Sequence, residues 1–461
     1  VRSAKALVVV LALCLTAAAR ADAAPFSNPV IPGNVADPSV VRADGSYWAA
    51  ATSGEWAPVF PLFRSADLVH WRQAGAVFPR PPAWARGKFW APGLAVSGGR
   101  WSVYYSARRT GGKPCIALAQ AARPTGAWRD RGFVVCQPTG SIDPAAVSDA
   151  TGRRYLVWKM MGVGNGIWGA RLSASGRRLV SAPRRLTLPN EPWEEGVTEG
   201  PDIVRDAGGD GYVLVYSGGH CCRPPCTYAV GVARAATILG PYRKDPANPV
   251  FHGGNGWKCP GHGTLVDGPG GELTFLHHAY AESDPFDVHR QALLDPVSFG
   301  PDGWPVFGAG GAPVGPGLDA DGQRLVDVFA GRSLQPGWQW PFDGPPRVHV
   351  GGGVLRIARG EISRAWVPRD FAAEADVRGA GRLSVLLTDG RRIGVAATHA
   401  TRGLALHVRA GRAVAAYRRA RGGRWRRIGA PVLARPGVAV DRVALGRGVF
   451  GEVRLRPLGR R

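Results

Sequence analysis

One short pattern is written five times along the first two thirds of this chain. Asp37-Pro38-Ser39-Val40-Val41 turns at Ala43-Asp44-Gly45 into Tyr47-Trp48-Ala49-Ala50. Ala91-Pro92-Gly93-Leu94-Ala95-Val96 turns at Gly98-Gly99 into Trp101-Ser102-Val103-Tyr104-Tyr105. Asp143-Pro144-Ala145-Ala146-Val147 leads to Tyr155-Leu156-Val157-Trp158, and Glu199-Gly200-Pro201-Asp202-Ile203-Val204 to Tyr212-Val213-Leu214-Val215-Tyr216. The last copy, Gly261-His262-Gly263-Thr264-Leu265-Val266, leads to Leu273-Thr274-Phe275-Leu276. The second strands begin at 47, 101, 155, 212 and 273, in steps of 54, 54, 57 and 61. A period of about 50 residues built from short strands and Gly/Asp turns is the mark of propeller blades.

The copies also agree on where a polar residue sits. The innermost strand of a propeller blade lines the central channel, so equivalent positions open on one mouth of it. Asp37, Asp143 and Glu199 fall at the same place in copies one, three and four, and His262 at the corresponding place in copy five. A single Asp-Pro is an ordinary strand start, because both residues favour turns. Three carboxylates in register, from strands more than 50 residues apart, point instead to one shared pocket.

At 461 residues the chain has room for two domains. Residues 25–316 hold the repeats, Gly308 to Gly317 reads as a linker, and 320–461 alternate apolar and polar residues between Gly turns. The expected class is therefore all-β: a five-bladed β-propeller followed by a β-sandwich of jelly-roll type. Residues 1–24 read as a secretory leader, with Arg2 and Lys5 before the apolar stretch Ala6 to Ala19 and a small-residue cleavage site at Ala21-Asp22-Ala23. That stretch is too short to span a bilayer, so a secreted, extracellular protein without membrane insertion is expected. Six cysteines follow the leader. In an exported chain they favour disulfides over zinc, and Cys115 and Cys136 pair within blade two. The partners of Cys221, Cys222, Cys226 and Cys259 stay open. The net charge of +24 resides mostly in residues 321–461, which carry 27 Arg against 10 acidic residues. No nucleic-acid-binding motif accompanies it, so nucleic acid is not an expected partner. A basic face of this kind suits an acidic polysaccharide.

Asp37-Pro38, Lys88-Phe89-Trp90-Ala91-Pro92, Ser141-Ile142-Asp143-Pro144, Thr198-Glu199-Gly200-Pro201 and Gly261-His262-Gly263, with Asp302-Gly303-Trp304-Pro305-Val306 closing the array, resemble glycoside hydrolase family 43. The resemblance covers residues 28–307. Asp319 to Ile357 is similar to the sandwich that often follows the propeller in that family. The resemblance implies inverting hydrolysis of arabinofuranosyl or xylosyl linkages in plant polysaccharides and oligosaccharides, with no required cofactor. It casts Asp37 as general base, Glu199 as general acid and Asp143 as the residue that orients the acid and raises its pKa. The chemistry agrees: inversion needs one carboxylate to activate water and a protonated partner roughly 6.5–9.5 Å away, and nearby anions would keep Glu199 protonated.

The same resemblance places His262 on the channel axis, beside a metal or water, and allows a structural Ca2+ there. It makes Arg290 a substrate contact, against the alternative of a solvated strand arginine. Trp90 is either a sugar platform or a packing residue between blades. Glu194 and Glu195 read as loop carboxylates. One departure is visible, because Gly93 follows the blade-two proline where an acidic residue is common. Two rival functions remain in view: a fructan-cleaving five-bladed hydrolase, whose Asn-Asp-Pro, Arg-Asp-Pro and Glu-Cys motifs are not matched, and a carbohydrate-binding propeller without turnover. Insertions after Tyr216 and after Ala279 could wall the pocket and lean toward exo action.

Overall fold

The computed structural model describes residues 26–458, apart from 163, 207, 285–288, 316–323 and 367. The expected leader lies outside the described residues, as do the end of the expected linker and Asp287-Val288 before His289. Five antiparallel four-stranded sheets follow one another along the chain. Their inner strands are Ser39–Ala43, Trp90–Ser97, Ser141–Ser148, Thr198–Arg205 and Trp257–Asp267. The second strands begin at Ser46, Arg100, Arg154, Tyr212 and Leu273, each within one residue of expectation. Alternation puts one face of each sheet against the next blade. Five apolar clusters result, one per blade interface, with Trp48 and Trp101 meeting between blades one and two and Leu118 and Trp158 between two and three. The segment before blade one closes the ring on blade five. Ile31 pairs with Ala292, and the Asn28 side chain bonds both the N–H and the carbonyl of Leu294.

The inner strands of blades two to five carry a bulge, and at its centre, or just before the strand in blade one, one residue has a left-handed backbone: Asp37 (φ 52°), Ala91 (45°), Asp143 (57°), Gly200 (57°) and His262 (40°). Four of the five are not glycine, and non-glycine residues adopt this region at a cost of roughly 1–3 kcal/mol, so the recurrence has a structural cause. It breaks the ladder and turns one N–H per blade away from its own sheet, toward the blade before it. Ala91 N–H donates to Thr52 Oγ1, Asp143 N–H to Ser106 Oγ, His262 N–H to Ser217 Oγ and Asp37 N–H to His278 Nδ1. The ring also corrects the expected register. Gly200, not Glu199, is the blade-four counterpart of Asp37 and Asp143. Glu199 stands one residue earlier, pairing Ser217 as Ile142 pairs Lys159 and Trp90 pairs Ser106.

Gly93, the departure noted in the sequence, has a steric reason. A Cβ there would run into the backbone carbonyl oxygen of Pro144 on the neighbouring inner strand, so no side chain of any kind fits at that point.

All six described cysteines form disulfides: Cys115–Cys136 as expected, with Cys221–Cys222 and Cys226–Cys259. The C-terminal residues build two facing sheets around a common core of Leu355, Leu383, Leu404, Val443 and Leu455. Trp338 and Trp340, conspicuous in the sequence, serve packing: Trp338 is buried in that core and donates to Asp327, while Trp340 pairs with Ala57 of blade one. The Arg442 guanidinium lies 3.9 Å from the centre of the Trp56 ring, and His289 Nε2 sits 2.8 Å from the Asp441 carbonyl oxygen. The sandwich thus grips blade one and, through His289, the residues just before the third strand of blade five.

Gly93→Ala should lower unfolding free energy by on the order of 1–3 kcal/mol, the cost of overpacking a site that cannot yield. Gly344→Ala, where the nearest atoms lie 3.9 Å from the added carbon, serves as the neutral control. Equal melting temperatures for the two variants would contradict the close-approach argument.

Candidate active site

The left-handed turn at the head of each inner strand aims the side chain of blades one, three and five at the axis. Asp37, Asp143 and His262 meet there, with His262 Nδ1 3.4 Å from Asp37 Oδ1 and 4.0 Å from Asp143 Oδ2. Glu199 joins from blade four through the residue before the turn, and Gly200 N–H donates to Asp143 Oδ2 at 3.2 Å. Gly200 is tight for a second reason: a Cβ there would meet the His262 ring at 2.7 Å. All three carboxylates are nearly buried, with side-chain exposures of 8% for Asp37, 7% for Asp143 and 16% for Glu199.

Burial alone would push each carboxyl up, and the neighbours decide the outcome. At Asp37 burial is outweighed by Arg290, whose Nη1 donates to Oδ1 at 2.8 Å, by His262 and His278, and by the Thr52 hydroxyl at 2.6 Å from Oδ2. Its carboxyl is held well below the usual range, so it is an anion with a lone pair to offer at any ordinary pH. Asp143 has no such cation at contact distance. Burial, with Glu199 and Asp37 nearby, raises it to about 6 against the pull of His262 and Lys159. At Glu199 burial is overcome by the Lys159 ammonium, 2.5 Å from Oε2, then by His262 and by the Tyr228 hydroxyl, which donates to Oε1 at 2.9 Å. Glu199 is therefore lowered, not raised as the sequence suggested. The cause is a lysine that reasoning from carboxylates alone left out.

The sequence-predicted residues divide cleanly. Asp37, Asp143, Glu199, His262 and Arg290 come together, and Arg290 is an ion-pair partner of Asp37 and not a solvated strand residue. Trp90 occupies in blade two the register that Glu199 occupies in blade four and is half-buried, with the Lys88 ammonium 4.8 Å from its ring centre. Glu194 is no loop carboxylate. It is fully buried, 2.5 Å from Lys244 Nζ and 2.8 Å from the Tyr216 hydroxyl, where it braces blade four. Glu195 stays partly exposed beside His220. Lys159, Tyr228, Thr52 and His278 were missed. For Thr52, Lys159 and His278 the signal was a polar residue near the end of the second strand, next to residues the repeat had already aligned; Tyr228, just before the third strand of blade four, had none.

The axis does not suit the calcium ion that the resemblance allowed. Among the described residues no three His, Cys, Asp or Glu side chains converge as ligands, and both Asp37 oxygens already accept from Arg290 and Thr52. Calcium asks for about six to eight oxygens.

A protein-family model described as Glycosyl hydrolases family 43 matches residues 26–305. A xylan 1,3-β-xylosidase from a Vibrio species is 28% identical over 334 residues, covering 63% of this chain and 58% of that enzyme. An extracellular exo-α-(1→5)-L-arabinofuranosidase of Cellvibrio japonicus is 27% identical over 318 residues, 59% of this chain and 86% of its own length. Against the Vibrio enzyme, then, the chain spans little more than half the relative's length. The crystal structure of a xylan β-1,4-xylosidase from Bacillus halodurans superposes with a TM-score of 0.77 at 19% identity, covering 94% of this chain and all of that one. This last likeness extends the shared fold through the C-terminal sandwich.

Arg290→Gln should raise the pH at which Asp37 takes up its proton by about one unit or more, the scale of losing an adjacent cation. A pH titration of carboxyl carbons in 13C-aspartate-labelled protein reads it directly. An unmoved Asp37 signal would show that the guanidinium does not set this carboxyl.

Proposed function

The chain belongs to glycosyl hydrolases family 43, and on that premise we propose that it is an inverting exo- or endo-acting enzyme for arabinofuranosyl or xylosyl linkages in plant cell-wall glycans. One observation carries the reading: three carboxylates from blades one, three and four converge at one mouth of the channel, in three different electrostatic settings. A binding module has no need of that division, whereas acid–base hydrolysis has.

Asp37 is the general base. Held ionised by Arg290 and oriented by Thr52, it draws a proton from a water molecule that attacks the anomeric carbon. Glu199 is the general acid that gives a proton to the glycosidic oxygen as the C–O bond breaks. Asp143 accepts the Gly200 N–H and so fixes the backbone that presents Glu199; as the group raised to about 6, it also stores a proton near the acid. His262 spans the two aspartates. Trp90, at the Glu199 register one blade removed from Asp37, offers an apolar face to a sugar ring.

Relatives named as xylosidase, exo-arabinofuranosidase and endo-arabinanase match at comparable identity, which motivates pentose-containing substrates as a class. Three disulfides support action outside the cell, where such polymers are met.

Product chromatography on arabinan, arabinoxylan and aryl pentosides should give arabinose, xylose or their short oligomers with wild type. Glu199→Gln should lower turnover of the polysaccharides by about 10²–10⁴-fold, the usual weight of a general acid. Aryl pentosides with acidic leaving groups should lose less, because those leaving groups need less protonation. Full activity of the Gln variant, or glycan binding without turnover by wild type, would refute the reading.

A further inference from the structure

Four blades end the second strand with an acceptor that takes the N–H of the next blade's left-handed residue: Thr52, Ser106, Ser217 and His278. Lys159 holds that position in blade three, pairing Ile142 as Ser106 pairs Trp90 and Ser217 pairs Glu199. An ammonium group has no lone pair, so it cannot accept the Gly200 N–H. That N–H goes to Asp143 instead. The run of second-strand acceptors is therefore interrupted in one place, beside the blade that carries Glu199. Ordering a long cationic side chain at 11% exposure costs desolvation and rotamer entropy that a serine would not. What it yields is the ion pair from Nζ to Glu199 Oε2 at 2.5 Å.

We propose that Lys159 is a positioning residue that keeps Glu199 ionised and fixed while the pocket is empty, and releases it when a glycosidic oxygen arrives. The inference rests on Glu199 being the general acid. An acid must be protonated when the bond breaks, so the Lys159 pair suits the resting pocket and opposes the reacting one. The other groups facing Glu199 do not lift the restraint: Tyr228 donates to Oε1, and His262 and Arg290 favour the anion, while Asp143 and the more distant Asp37 favour the neutral form. Displacing the ammonium tips that balance. Glu199 then gains a proton from Asp143 or from water and passes it to the departing oxygen, while the attacking water loses its proton to Asp37. Water is added across the bond and both carboxylates return to their starting forms by one proton exchange with solvent. The device would make the acid competent only in the loaded site.

The test is the pH dependence of kcat/KM and of kcat on an aryl pentoside for wild type, Lys159→Met, Lys159→Ser and Lys159→Arg. The first parameter reports the free enzyme and the second the complex. With the ammonium gone, the basic limb of kcat/KM should rise by about one pH unit or more, while the basic limb of kcat stays in place. Lys159→Arg should keep the wild-type limb. Lys159→Ser supplies the acceptor that the other blades use, so it should fold at least as well as wild type and still show the shifted limb, which a purely structural role would not produce. An unmoved kcat/KM limb in an active Met or Ser variant would overturn the inference while leaving the glycosidase reading intact. A kcat limb that moves equally far would overturn it too, by showing that Lys159 stays on Glu199 in the complex. A wild type silent on every glycan would remove the reading beneath it.

Discussion

The active centre depends on a backbone feature before it depends on any side chain. Five residues, one per blade, take the left-handed conformation at the head of the inner strand. In four blades the N–H this frees is caught by a side chain of the preceding blade, and in the remaining one by Asp143. The ring ties each inner strand to its neighbour at the mouth of the channel, where five sheets would otherwise splay. It also sets direction. A residue with positive φ at that point projects toward the axis, so the residue type there decides what the mouth contains: Asp, Ala, Asp, Gly and His in turn. Precise placement of reacting groups on rigid strands is what a catalytic site needs, and here the scaffold and the site use the same hydrogen bonds.

Electrostatics then separate three chemically similar groups. Arg290 sits on Asp37, Lys159 on Glu199, and neither sits on Asp143. Two cations among three buried carboxylates leave room for one proton, and the order of their pKa values follows from which carboxylate lacks a contact cation. The sandwich enters this arrangement at one remove. Asp441 holds His289, the residue next to Arg290, so the loop that delivers the guanidinium to Asp37 is anchored to the C-terminal sheets.

The five copies made the propeller legible because strand and turn residues repeat at a nearly constant step, and blade boundaries needed only that period. The pocket was legible for the same reason: Asp37, Asp143 and His262 stand at one register. Glu199 was misplaced by one residue because Glu-Gly-Pro was aligned by charge, whereas the backbone aligns Gly200 with Asp143. That Glu199 joins the two aspartates was readable, and its electrostatic state was not. Lys159 follows an apolar run, Tyr155 to Trp158, and nothing local says that it reaches across a blade interface to another strand. Glu194 was hidden in the opposite way, since a Pro-Trp-Glu-Glu loop looks solvated and its burial is imposed by Lys244, 50 residues away. Gly93 stood out in the sequence only as a departure from an acidic residue, and the Pro144 carbonyl shows that the position has no room.

In the proposed mechanism Asp37 activates water on the face of the sugar opposite to the group protonated by Glu199. The anomeric configuration of the first-formed product tests it most directly. Proton NMR recorded during the initial turnover of an aryl pentoside, before mutarotation, should show the anomeric signal opposite in configuration to that of the substrate. A first product with the substrate's configuration would mean that a carboxylate attacks the sugar directly, and the roles assigned to Asp37 and Glu199 would be wrong.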